Sequence, residues 1–173
     1  VVGTGTIVVA STFTAVQTID NARFSLPTES VSVDEFSEYI DMTKTADPAI
    51  LENGEVADIT YTITLTAKDN YIITPNIESV NDTFSVMGGT LSPTPVAPVE
   101  SLRAQIEGTT IDSNTLVLTY IIEDVSGEDV LLNNVFEMDF QVRTTSDPNS
   151  VLDESFRARA SVRIGNPDLG CFI

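Results

Sequence analysis

Ile59 to Ala67 reads Ile-Thr-Tyr-Thr-Ile-Thr-Leu-Thr-Ala. Ile59, Tyr61, Ile63, Leu65 and Ala67 fall on one phase, and four threonines fall on the other. A repeat of two fits a strand with one buried and one wet face, and it does not fit a helix. Threonine, being β-branched, suits the wet face of such a strand. The pattern recurs. Phe136, Met138, Phe140 and Val142 alternate with Glu137, Asp139, Gln141 and Arg143, and Phe156, Ala158, Ala160, Val162 and Ile164 alternate with polar residues. Leu116–Ile122 is apolar on both phases apart from Thr119, as in a central strand. Tyr71–Ile73 and Thr83–Val86 are shorter candidates.

Between these runs lie Asn53-Gly54, Gly88-Gly89, "SPTPVAP", "SGED" and "SDPNS", all turn or loop chemistry. Helix signals are few: a capping box of Ser32 and Glu35 before Phe36, Tyr39 and Ile40, and a turn over Glu100–Ile106. The expected fold is all-β, an immunoglobulin-like or jelly-roll-type β-sandwich. Its core should hold Tyr61, Ile63, Leu65, Phe136, Met138, Phe140, Ala160 and Val162.

The N-terminus stands apart. Ile7, Val9, Phe13, Ala15 and Ile19 share one phase, with Thr6, Thr12, Thr14 and Thr18 on the other. A long apolar strand needs cover, from its own sheet or from a neighbour's. The division expected is a strand arm and connector over residues 1–40 and a sandwich over 41–173, with Ile7, Val9, Phe13, Ala15 and Ile19 as a polymerisation strand.

Charge narrows the partners. Twenty-six acids against eight bases give a net charge of −18. Phosphate binding needs clustered Lys and Arg, so nucleic acid is excluded, and anionic membrane surfaces are disfavoured for the same reason. No apolar run approaches the roughly 20 residues of a membrane helix. Histidine is absent, which removes the commonest general base and with it Ser-His-Asp and Cys-His catalysis. Cys171 is the single cysteine, so no disulfide forms within the chain. The reading is of a protein that is not an enzyme.

Among the acids, Asp124, Glu128 and Asp129 form a candidate calcium site, beside clusters at Asp34-Glu35-Glu38 and Asp153-Glu154. None has EF-hand spacing. Asn81-Asp82-Thr83 is a glycosylation sequon. Arg143, Arg157, Arg159 and Arg163 lie on outward phases of the last two strands. A hairpin around "SDPNS" would set Asp139 near Arg159 and Gln141 near Arg157, and the same stripe could meet an acidic patch on a neighbouring subunit.

"MTKTADPAILENGEVADITYTITLTA" resembles the opening of the conserved repeat domain of bacterial and archaeal surface proteins. That family opens with a Lys-Thr/Ser-Ala/Val-Asp/Ser-Pro stretch, a Gly-Asp/Glu turn and a Tyr-Thr-Ile-Thr-Val-Thr strand. Here stand Lys44-Thr45-Ala46-Asp47-Pro48, Gly54-Glu55 and Tyr61-Thr62-Ile63-Thr64-Leu65-Thr66. A weaker likeness runs on through "LVLTYIIEDV", "VFEMDFQVRT" and "RARASVRI", so that residues 42–165 are covered. The resemblance implies an immunoglobulin-like sandwich in an extracellular, cell-surface protein. Related fimbrial domains join a first-strand Lys to a last-strand Asn by an isopeptide bond, and Lys44 could hold the Lys position. Phe156–Ala160 offers no Asn, however, and Asn166 lies past the strand. Lys44 therefore reads as an ordinary strand-edge residue.

The expected function is a structural subunit of an extracellular filament, tube or surface layer, self-assembling as a homopolymer by strand donation, with calcium as a bridging ion. The alternative is a spacer, or an adhesive or carbohydrate-binding module, of a larger surface protein.

Overall fold

The structure is a computed structural model that describes residues 31–33, as backbone alone, and 38–165. Nine strands run β1 (Val31–Val33), β2 (Ile40–Asp47), β3 (Ile50–Leu51), β4 (Ala57–Ala67), β5 (Tyr71–Pro75), β6 (Asn81–Ser92), β7 (Ile111–Asp112), β8 (Thr115–Thr144) and β9 (Val151–Ile164). A short 3-10 turn covers Ile77–Ser79, and one α-helix, α1, covers Val99–Ile106. The fold is all-β, with 66% of the described residues in strands and 9% in helix.

The Thr-rich alternation forms β4, whose partners are β2 on one side and the first part of β8 on the other, both antiparallel. From Ser126 onward β8 leaves this layer and joins a second one. There it pairs with β6 and β5 along one edge and with β9 along the other. β1 pairs antiparallel and β3 parallel with β9. Through the shared strand β8 all the strands form one mixed sheet, folded into a nearly barrel-shaped sandwich. The apolar phases of the two layers meet in a single core. Every core residue expected from the alternation is at most 1% exposed: Tyr61, Ile63, Leu65, Phe136, Met138, Phe140, Ala160 and Val162.

Where β8 changes layer, its backbone must bend. Asp124 and Asp129 there adopt φ of 54° and 52°, the left-handed region that aspartate tolerates better than most residues. Opposite the bend, Gly88 has φ 95°, and a Cβ on it would lie 2.6 Å from the Asp129 carbonyl oxygen. Glycine at this point answers both the dihedral and the close approach of the strands.

Two expectations change. Ser32 caps no helix among the described residues: Val31–Val33 is a strand registered on Ala158–Ala160, Ile40 begins β2, and Glu35 and Phe36 lie outside the described residues. Sheet pairing outweighs a local cap that could seed barely two turns. β1, the first strand among the described residues, lies within residues 1–40. The last hairpin is registered differently as well. Arg143 faces Val151, so the reversal centres on Asp147, Glu137 rather than Gln141 faces Arg157, and Asp139 faces Ser155. Both strands run closer to the turn than the alternation suggested. α1 matches the expected turn over Glu100–Ile106 and buries Leu102 and Ile106.

Candidate functional site: a buried lysine, aspartate, tyrosine and asparagine

Three strands place four polar side chains on inward phases, one each from β2 and β6 and two from β8. Met42, Lys44 and Ala46 point inward from β2, and Leu118 and Tyr120 from β8 before its bend. Asp82 points inward from β6, and Leu132, Asn134 and Phe136 from β8 after the bend. Lys44 and Asn134 are 0% exposed, Asp82 4% and Tyr120 6%, so bulk water does not reach them.

They form one connected network. Lys44 Nζ donates to Asp82 Oδ1 at 2.9 Å and Oδ2 at 3.0 Å. Asn134 Nδ2 donates to the same Oδ1 at 2.6 Å and to the Thr83 carbonyl oxygen at 3.1 Å. The Tyr120 hydroxyl lies 2.6 Å from Asn134 Oδ1, 2.6 Å from Asp82 Oδ2 and 3.4 Å from Lys44 Nζ. Aromatic rings enclose the ammonium: Nζ is 5.4 Å from the Tyr120 ring centre and 5.7 Å from those of Tyr61 and Phe136. Tyr61 stacks on Tyr120 at 5.1 Å and meets Phe84 edge-on at 5.5 Å.

This setting changes the chemistry of each group. Burial pushes the Lys44 ammonium down from its usual 10.5 to about 8, against the attraction of Asp82. Burial, and then the Asp82 carboxylate, push the Tyr120 hydroxyl well up. A lysine that gives up its proton readily is a nucleophile. Its neighbour within the network is a primary amide, whose carbonyl oxygen already accepts a hydrogen bond. A buried Lys–Asp pair is weak support for stability, since an apolar pair of equal volume often does as well. An amide and a hydroxyl aimed at that pair are what a reaction between lysine and amide requires.

Lys44 is therefore not an ordinary edge residue. Although β2 pairs only with β4 among the described strands, the lysine lies on the inward phase and is fully enclosed. The last strand carries no asparagine on its inward phase, but the neighbouring one does: Asn134 is registered opposite Ala160. Asp82, the middle residue of the sequon Asn81-Asp82-Thr83, is buried, whereas Asn81 is exposed. Each was signalled by period two. Asn134 continues the phase of Phe136, Met138 and Phe140 by one step, and Asp82 shares the phase of Phe84.

The other singled-out residues are not drawn into this site. Asp124, Glu128 and Asp129 lie at the bend of β8. The Asp124 amide donates to Asp58 Oδ1 at 2.9 Å, and the Asp129 amide to Asn53 Oδ1 at 3.0 Å. Among the described residues no three carboxylate, cysteine or histidine side chains are grouped so as to hold a metal ion. The backbone bend accounts for the aspartates. Arg157 Nε donates to Glu137 Oε1 at 2.7 Å, and Arg143 Nη2 to Thr74 Oγ1 at 3.1 Å. Arg159 and Arg163 are half-buried on the same face of β9, opposite Val135 and Leu131. Ile7, Val9, Phe13, Ala15, Ile19, Asp34, Glu35, Asn166 and Cys171 lie outside the described residues.

A cleft of about 610 Å³ beside β5 is lined by Thr74, Asn76, Asp139, Gln141, Asp153 and Glu154, with Phe140 buried beneath it. It offers no exposed aromatic face of the kind that stacks on a sugar. No helix among the described residues is long and apolar enough to cross a membrane. Compared with protein-family models, with curated proteins and with solved structures, the chain finds no match.

Proposed function

We propose that this domain crosslinks itself: the Lys44 amine attacks the Asn134 side-chain amide, ammonia leaves, and an isopeptide bond ties β2 to β8 across the core. The observation that carries this is the convergence of Lys44 Nζ and Asn134 Nδ2 on one oxygen of Asp82, inside an aromatic pocket closed to water. Holding nucleophile and amide together makes the step unimolecular and removes the entropic cost of bringing them together. Asp82 takes the ammonium proton, freeing the amine, and returns a proton to the departing nitrogen. No cofactor, metal or outside substrate enters, and the reaction occurs once per molecule.

A permanent tie suits a part that bears load. We read the domain as a structural subunit of an extracellular filament, tube or surface layer, with residues 4–19 as the strand that one copy donates to the next. The likeness of "MTKTADPAILENGEVADITYTITLTA" to surface-protein repeats supports that setting. So does a covalent bond that no cellular reductant could reverse.

The test is the mass of the purified protein. It should fall short of the sequence mass by one ammonia, and digestion should yield one branched peptide joining Lys44 to Asn134. Lys44→Ala and Asn134→Ala should restore the full mass. Wild-type protein at its full sequence mass would end the crosslink reading.

A further inference from the structure

Tyr120 has one proton and two acceptors. The Asn134 amide is oriented by its nitrogen, which donates to Asp82 Oδ1 and to the Thr83 carbonyl oxygen; turned over, it would set oxygen against oxygen at both contacts. Its Oδ1 therefore faces Tyr120 and can be bonded only by the hydroxyl proton, at 2.6 Å. The second 2.6 Å contact, to Asp82 Oδ2, then needs a proton from the acid. The proton that Asp82 takes from the Lys44 ammonium in the proposed reaction, placed on Oδ2, makes both 2.6 Å contacts hydrogen bonds. Buried hydroxyls usually serve one structural bond; this one bridges the acid and the carbonyl under attack.

Resting on the crosslink reading, we infer that Tyr120 is a catalytic residue of the bond-forming step, a proton relay between Asp82 and the carbonyl oxygen of Asn134. As the Lys44 lone pair forms the new bond to Cγ, the carbonyl π electrons move onto Oδ1. The Tyr120 proton follows them, and the Asp82 Oδ2 proton replaces it on the tyrosine. The added nitrogen, now cationic, gives a proton to Asp82 Oδ1, which lies within hydrogen-bond reach of both nitrogens. Asp82 passes that proton to Nδ2. The Cγ–Nδ2 bond breaks with its electron pair on nitrogen, and the carbonyl re-forms. The proton on Oδ1 returns through Tyr120 to Asp82, and the products are one secondary amide and one ammonia. No free oxyanion forms in the core, where an unmet charge is most costly.

The experiment follows the intact mass of protein sampled at intervals after cell-free synthesis. Tyr120→Phe keeps the ring stack and removes the relay, and should slow ammonia loss by about 100-fold or more. Its folded state is checked by its strand circular dichroism. 3-Fluorotyrosine placed at position 120 alone keeps the hydroxyl and makes it more acidic, and should crosslink faster than the wild type. A Tyr120→Phe chain that crosslinks at the wild-type rate overturns the relay and leaves the crosslink standing. If Tyr120→Phe does not fold, a fluorotyrosine chain whose rate is the wild type's at every pH overturns it instead. A wild-type chain that never loses ammonia overturns both.

Discussion

At the scale of single residues, Lys44 sets a measurable sign. Its folded value near 8 lies below the unfolded 10.5, so between those values the unfolded chain holds more protons than the folded one. Stability should therefore rise with pH across that window. The effect exists only while Lys44 can titrate, and an amide nitrogen cannot. Asn134→Ala, which keeps the lysine and Asp82 but blocks the bond, should gain up to about 3 kcal/mol from pH 8 to 10 by chemical denaturation. The wild type should show no such gain from this residue. Equal slopes for the two proteins would contradict the assignment. Removing the acid is harsher. Asp82→Ala leaves a buried ammonium with no counter-charge, and should cost about 3–5 kcal/mol at pH 7 while also preventing crosslinking. A melting temperature within a degree of that of Asn134→Ala would speak against it.

At the scale of elements, the strands were legible where both faces followed the rule. β4, β9 and the second part of β8 show clean alternation, and their inward residues are buried as read. The site was hidden for the same reason. A lysine, an aspartate and an asparagine on inward phases break the apolar pattern, so a reading that seeks apolar residues stops short of them. β8 was read as two separate strands because its bend is spelled in turn residues, "EDVSGED", although strand pairing continues through them. Register also lay beyond the pattern, since alternation fixes a face and leaves open which pairs meet. The bend gives its own prediction. Gly88→Ala meets both a left-handed dihedral and a Cβ 2.6 Å from the Asp129 carbonyl, so the β6–β8 ladder must shift. A loss of about 1–3 kcal/mol is expected by urea denaturation. An unchanged midpoint would mean that the strands separate more easily here than their spacing implies.

At the scale of the whole molecule, the tie joins strands far apart in sequence. β2 pairs only with β4 among the described strands, whereas β8 runs through both layers. A bond from Lys44 to Asn134 closes a loop of roughly 90 residues, and it takes entropy from the unfolded chain as a disulfide of that span would, by roughly 4–5 kcal/mol. For a domain of this size that corresponds to about 10–20 °C in melting temperature. Asn134→Ala should therefore melt that far below the crosslinked wild type in calorimetry at pH 7. The comparison needs a control, because the substitution also removes three buried hydrogen bonds. Lys44→Met combined with Asp82→Asn supplies it: the lysine stem is replaced by an apolar chain of similar length, no buried charge is left alone, and the contacts of Asn134 with Tyr120 and Thr83 stay. If loop closure dominates, both variants fall by similar amounts and both lose the branched peptide. If only Asn134→Ala falls, the stability resides in the polar network and the tie contributes little.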